Sequence, residues 1–274
     1  MDKILTSLHT YWIMAQIQSR HTHAGERTGL QSRLEDTIVD VLGSQETSCI
    51  YVHWGVYESG KSRAASNAAI RLQDRHGKLV MLRHGWDFTH KNNLRDWLRL
   101  SIGIPDDRQH DKLSTFFPNR KAVLILDHPD FLLKLHGEGK LVDNLRELDI
   151  PVLILMNSWE RAVELKNCGC RLLGEPGFDR WTEDELSELF KTFSPLIQDK
   201  DQATKLNLMK CAALSRSPGV LFHECHRGEK CNPDIRRANI MHTEWQNGMR
   251  ALQGQSMGDI TGRFPDKNGI FHWD

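Results

Sequence analysis

Residues 55–62 read Gly55-Val56-Tyr57-Glu58-Ser59-Gly60-Lys61-Ser62. Ahead of them stands Cys49-Ile50-Tyr51-Val52-His53-Trp54, a β-branched and aromatic run that predicts a strand. Behind them comes Arg63-Ala64-Ala65-Ser66-Asn67-Ala68-Ala69-Ile70-Arg71-Leu72, which reads as a helix. Strand, G-x-x-x-x-G-K-S and helix in that order predict a phosphate-binding loop. Its glycines allow backbone geometry closed to other residues, so successive amides can converge on an anion. The helix adds unsatisfied N-terminal amides and the positive end of its dipole. Lys61 is expected to reach the β- and γ-phosphates, and the Ser62 hydroxyl to hold Mg²⁺. The implied ligand is a nucleoside triphosphate, with Gly55 through Ser62 and the adjoining Arg63 around its phosphates.

Four further strands are predicted downstream. They are Lys78–His84, Ala122–Asp127, Pro151–Asn157 and the short Cys170–Leu173. The runs 122–127 and 151–157 are almost uninterrupted apolar sequence, as in parallel strands buried on both faces. Helical spacing lies between them, at Leu94, Trp97, Leu98 and Ile102, then Leu141, Leu145 and Leu148, then Trp159, Ala162 and Val163. Ahead of the loop, Leu30, Leu34, Ile38, Val41 and Leu42 mark a helix closed by Gly43. Alternating strands and helices predict a doubly wound parallel α/β sheet of about five strands.

The alternation stops at Gly174-Glu175-Pro176-Gly177. Thr182 and Glu185 form a capping box, and Leu186, Leu189, Phe190 and Phe193 line one helical face. Helices are also predicted around Leu206, Met209 and Ala213, and from Ile240 to Leu252. The expected organisation is therefore an N-terminal helical segment (1–28), a nucleotide-binding α/β domain (29–177), a helical lid (178–253) and an irregular tail (254–274).

A phosphate loop needs a carboxylate to hold magnesium, and such an acid usually ends an apolar strand. Asp127 has that place, after Val123-Leu124-Ile125-Leu126. The acid that would activate water is less plain. His128 follows Asp127 where many ATPases carry glutamate, while Asp130 either orients water or caps the helix at Phe131. Glu58 is a further carboxylate within the loop. Asn157 ends its strand with an amide that could hold the attacking water or the γ-phosphate, or could simply begin a turn with Ser158.

Strand–GVYESGKS–helix, then Leu124-Ile125-Leu126-Asp127-His128-Pro129-Asp130, then a strand ending in Asn157 and a helical lid, resembles the AAA+ class of P-loop ATPases over about residues 30–220. Among these it is most similar to the signalling members known as STAND, whose NACHT type carries a D-x-x-D magnesium strand. Ser215-Arg216-Ser217-Pro218-Gly219 is similar to the proline-containing sensor segment of such lids. The resemblance implies binding of ATP and ADP between sheet and lid, with Mg²⁺ and with hydrolysis coupled to lid movement or assembly with itself or a protein partner. It places Pro218 near adenine and Arg216 near the γ-phosphate. It implies an arginine finger too, for which Arg146, Arg161, Arg171 and Arg180 are candidates. His128 departs from the family's glutamate and implies slow hydrolysis. A nucleotide-regulated switch with little hydrolysis, or a small-molecule kinase, are the alternatives.

Composition narrows the partners. Lys plus Arg equals Asp plus Glu at 36 each, so broad charge-driven binding to nucleic acid is not expected. No apolar run reaches the ~18 residues that span a bilayer. Asp2, His9 and Gln16 break up any secretory leader. Six cysteines without such a leader read as free thiols in an intracellular protein. His223, Cys225, His226 and Cys231 gather zinc-type ligands, but their spacing matches no known zinc pattern.

Overall fold

The computed structural model describes residues 29–44, 48–85, 94, 96–97, 122–193, 198–221 and 234–254. The N-terminal segment, the tail after Gly254 and the His223–Cys231 cluster lie outside them. Five strands form one parallel sheet: β1 (Ile50–Trp54), β2 (Leu79–His84), β3 (Ala122–Asp127), β4 (Val152–Met156) and β5 (Arg171–Leu172). Their spatial order is β2-β3-β4-β1-β5. All five expected strands are present, most of them one residue shorter at an end. Pro151, directly before β4, has no N–H to give to the ladder.

Side-chain alternation along the strands divides the core in two. Val52, Trp54, Leu124, Leu126, Ile154 and Met156 face one side, where α4 (Glu138–Arg146) and α5 (Trp159–Asn167) supply Leu141, Leu145, Ala162 and Leu165. Tyr51, Val80, Val123, Ile125, Leu153 and Leu155 face the other, against α1 (Gly29–Ser44) and α2 (Lys61–His76). Burial on both faces is why β3 and β4 carry no alternating polar residue. On α2 the buried stripe is Ala64, Ala65, Ala68, Ala69 and Leu72, and its small side chains let α1 lie close. Glu35 of α1, though 1% exposed, is held by Arg71 of α2 at 2.9 Å.

The C-terminal helices are α6 (Glu183–Phe193), α7 (Gln202–Ser215) and α8 (Ile235–Leu252), and residues 218–221 add one helical turn. The expected capping box is made: Glu185 N donates to Thr182 Oγ1 at 3.2 Å, and Thr182 N donates to Glu185 Oε2 at 2.8 Å. Trp181, Leu186, Leu189, Leu208, Ala212 and Leu221 form a small core of their own. Helix α8 departs from that grouping. Its Ala238, Met241 and Leu252 join the core on the α5 side of the sheet, and it packs on both α5 and α7. Among the described residues no helix is long and apolar enough to cross a membrane.

Candidate nucleotide site

The parallel order brings the carboxyl ends of β3, β4 and β1 side by side, the edge at which open α/β sheets bind ligands. Residues 55–60 leave β1 there. Gly55 N donates to Met156 O at 3.2 Å, so the loop departs in register with β4. Gly60 has φ 94° and is the N-cap of α2, a left-handed turn that aims the helix N-terminus into the loop. Ser59 N donates back to Val56 O at 3.2 Å.

Lys61 lies inside this curve with 4% of its surface exposed. Its Nζ donates to Gly55 O at 2.7 Å, to Val56 O at 2.9 Å and to Ser59 Oγ at 3.3 Å. The ammonium thus sits where the phosphates are expected. Burial lowers its pKa from 10.5 to about 8, against the opposing pull of Asp127, Asp179 and Asp130.

Asp127 ends β3 fully buried, and neither of its oxygens has a hydrogen-bond partner among the described residues. His84 Nδ1, at the end of β2, is 3.5 Å from one oxygen, and His128 Nε2 is 3.7 Å from the other. The two imidazoles stack, with centroids 6.3 Å apart. One strand over, Asn157 Nδ2 donates to His128 Nδ1 at 2.7 Å, while Asn157 Oδ1 is buried without a partner among the described residues. Three acceptor oxygens at neighbouring strand ends therefore lack donors, which is costly unless a ligand supplies them. The coordinated waters of a hard divalent cation are such donors, and Mg²⁺ keeps several waters when it binds protein. The unpartnered oxygens of Asp127 thus fit a hydrated Mg²⁺; bound there, the ion would neutralise phosphate charge. Among the described residues no group of three or more His, Cys, Asp or Glu side chains is arranged to hold a metal without other ligands.

Asp130 is the first residue of α3 (Asp130–His136). Pro129 holds the N-cap position and no side chain caps the helix, so Asp130 is not the cap that its position before Phe131 allowed. It acts on Lys61 through charge. Arg63 is half-buried on α2 and interacts with Glu35. Ser217, beside Pro218, donates to Glu58 O at 2.8 Å, so the Ser-Pro-Gly segment does lie on the loop. Arg216 does not reach it: its guanidinium bonds Glu183 of α6 at 2.7 Å. Three of the four arginine-finger candidates are also engaged within the chain. Arg146 bonds Cys168 O, Arg161 bonds Glu138, and Arg180 stacks 3.6 Å from the Trp245 ring centroid.

Sequence reasoning missed Asp179. It lies in the turn after β5, 9% exposed, with Oδ2 3.0 Å from His53 Nε2. Burial would raise its pKa, but His53 and then Lys61 bring it below the ordinary carboxyl value. A histidine in an otherwise apolar strand was the one signal that a buried acid had to be near.

No protein-family model matches the chain, and no curated protein matches it. Solved structures do resemble it in outline. Domain III of the replication initiation protein DnaA of Thermotoga maritima is 15% identical over 78% of this chain and 91% of that one, with TM-score 0.41. The ORC2 protein of Aeropyrum pernix is 13% identical over 79% and 67%, with TM-score 0.47. Cdc6p of Pyrobaculum aerophilum is 14% identical over 85% and 65%, with TM-score 0.43. These neighbours are AAA+ ATPases. The chain's own strand order, with the loop after β1 and Asp127 two strands away, makes it a P-loop α/β domain with a helical C-terminal region.

Proposed function

We propose that the chain binds ATP with Mg²⁺ and hydrolyses it to ADP and phosphate, coupled to movement of the helices after residue 178 or to assembly. The observation that supports this best is the pairing of a buried, loop-bound Lys61 ammonium with a buried Asp127 whose oxygens await donors. In this reading Lys61 and the loop amides take the phosphate charge, and Ser62 and Asp127 hold the ion. Asn157 directs its unpartnered Oδ1 at the attacking water, and Asp130 adds negative charge beside Lys61. Gly55 to Ser62 with Arg63 surround the phosphates, while Pro218 lies toward the base. The test is phosphate release by wild type and Lys61→Ala across a range of protein concentrations. Release that rises with concentration and vanishes in Lys61→Ala supports an assembly-coupled ATPase. Tight nucleotide binding with no release would overturn the hydrolytic part.

One observation favours a second reading, a nucleotide-regulated switch that turns over slowly. The position after Asp127 is a histidine, and its Nδ1 is already occupied by Asn157. No carboxylate follows the magnesium acid to accept a proton from water.

A further inference from the structure

Glu58 puts a carboxylate into the loop that would bind a polyanion. Its backbone is left-handed, with φ 64°, and its side chain is turned away from the curve of the loop toward the C-terminal helices. There its Oε1 pairs with the guanidinium of Arg237, in the first turn of α8, and the Glu58 side chain is only 7% exposed. The surrounding contacts leave little freedom. Ser217 Oγ and Gly219 N both donate to Glu58 O, at 2.8 and 3.0 Å, and Trp181 Nε1 donates to Ser59 O at 3.2 Å. Gly219 packs so close that an added Cβ would fall 2.3 Å from Glu58 Cβ.

We infer that Arg237 is a nucleotide-binding determinant that acts through Glu58: it neutralises the acid built into the phosphate loop, and the pair locks α8 to that loop. This rests on reading residues 55–62 as the nucleotide site. An unneutralised, poorly hydrated carboxylate beside a triphosphate repels it, because the charges interact through low-dielectric protein. With Arg237 in place the pair is neutral and the loop amides act unopposed. Affinity should therefore follow the net charge of the pair rather than the presence of the arginine. The lock also ties the helical region to the one segment that must adapt when phosphates enter.

A charge-swap series tests this, using the full chain with a fluorescent ATP analogue and Mg²⁺, together with the melting temperature of the nucleotide-free protein. Arg237→Gln leaves the pair negative and should weaken binding by about tenfold or more and lower the melting temperature. Glu58→Gln leaves it positive and should tighten binding by a few-fold. The double variant is neutral again and should return to within about threefold of wild type. A double variant as weak as Arg237→Gln would overturn the inference, since Arg237 would then be touching phosphate itself. So would an Arg237→Gln protein that binds like wild type. If wild type binds no nucleotide, the nucleotide reading falls on its own. The lock is then decided by the melting temperatures: a loss in Arg237→Gln that Glu58→Gln reverses supports it, and simple additivity overturns it.

Discussion

Nδ2 of Asn157 lies 2.7 Å from Nδ1 of His128, an amide-to-imidazole bond across the ends of β4 and β3. With Nδ1 as acceptor, the neutral ring carries its proton on Nε2, toward Asp127 3.7 Å away. The acceptor nitrogen of the histidine is thus taken by Asn157, and φ 51° holds the residue in a conformation that a non-glycine residue rarely adopts. It is built into the site as a strut, and its basic nitrogen is not offered to water.

It follows that His128→Glu should accelerate hydrolysis. A positioned general base contributes about 10²–10⁴-fold, so a gain of roughly tenfold or more in single-turnover phosphate release is expected even with imperfect placement. Slower release than wild type would mean that the His128–Asn157 pair itself serves the reaction.

Lys61 makes the site pH-sensitive. Its folded pKa of about 8 lies below the ordinary 10.5, so burial disfavours the ammonium. The sign follows: the stability cost is fully present below about pH 8 and is relieved as pH rises toward 10.5, where the unfolded chain also loses its proton. The difference corresponds to roughly 3 kcal/mol at 1.36 kcal/mol per pH unit. Lys61→Met should therefore raise the melting temperature of the nucleotide-free protein at pH 7 while abolishing nucleotide binding. Part of the gain is returned, because the carbonyls of Gly55 and Val56 lose their donor. In wild type, affinity should fall from pH 7 to pH 9. Calorimetry in buffers of different ionisation enthalpy should detect proton uptake on binding at the higher pH.

What the sequence disclosed and what it hid have a common cause. The phosphate loop, the strands and the capping box are local: hydrogen bonds between near neighbours and unbroken apolar runs write them directly into the chain. Asp127 could be read because it ends a strand that has no other polar residue. Asp179 could not, since its meaning comes from His53, 126 positions earlier, across the β1–β5 edge. Arg237 and Glu58 are 179 positions apart. Arg216, which the motif placed near phosphate, is turned aside by Glu183, a partner that no spacing rule reveals. The division at residue 178 was drawn where alternation stops, yet α8 beyond it contributes Met241 and Leu252 to the sheet's core.

Gly248 of α8 is where that return is most exacting. An added Cβ would fall 2.3 Å from Trp54 Cη2 and 2.8 Å from Trp159 Cβ, so α8 meets the end of β1 through a backbone contact. Trp54 has little room to yield, because its Nε1 donates to Asn157 O at 3.1 Å. Gly248→Ala should destabilise by about 1–3 kcal/mol despite alanine's better helix propensity. A shifted tryptophan fluorescence maximum should accompany the lower denaturation midpoint. Unchanged stability would show that α8 is not held there.

The support beneath the loop gives the last test. Arg71 of α2 donates from Nη1 to Glu35 Oε1 at 2.9 Å and to Asp36 Oδ1 at 2.5 Å. The Glu35 side chain is 2% exposed and that of Asp36 is 49% exposed, so the first contact carries most of the energy. Removing one partner of a buried pair leaves a charge without compensation, which costs about 3–5 kcal/mol. Arg71→Met belongs at the lower end, because Arg63 also acts on Glu35. Adding Glu35→Gln should restore a large part of the loss, measured as a denaturant midpoint. Since α2 also carries Lys61 and Ser62 in its first turn, loosening the α1–α2 pair should weaken ATP binding in Arg71→Met, and Glu35→Gln should restore it in parallel with stability. Stability recovered without affinity would instead assign Arg71 a direct part in the site.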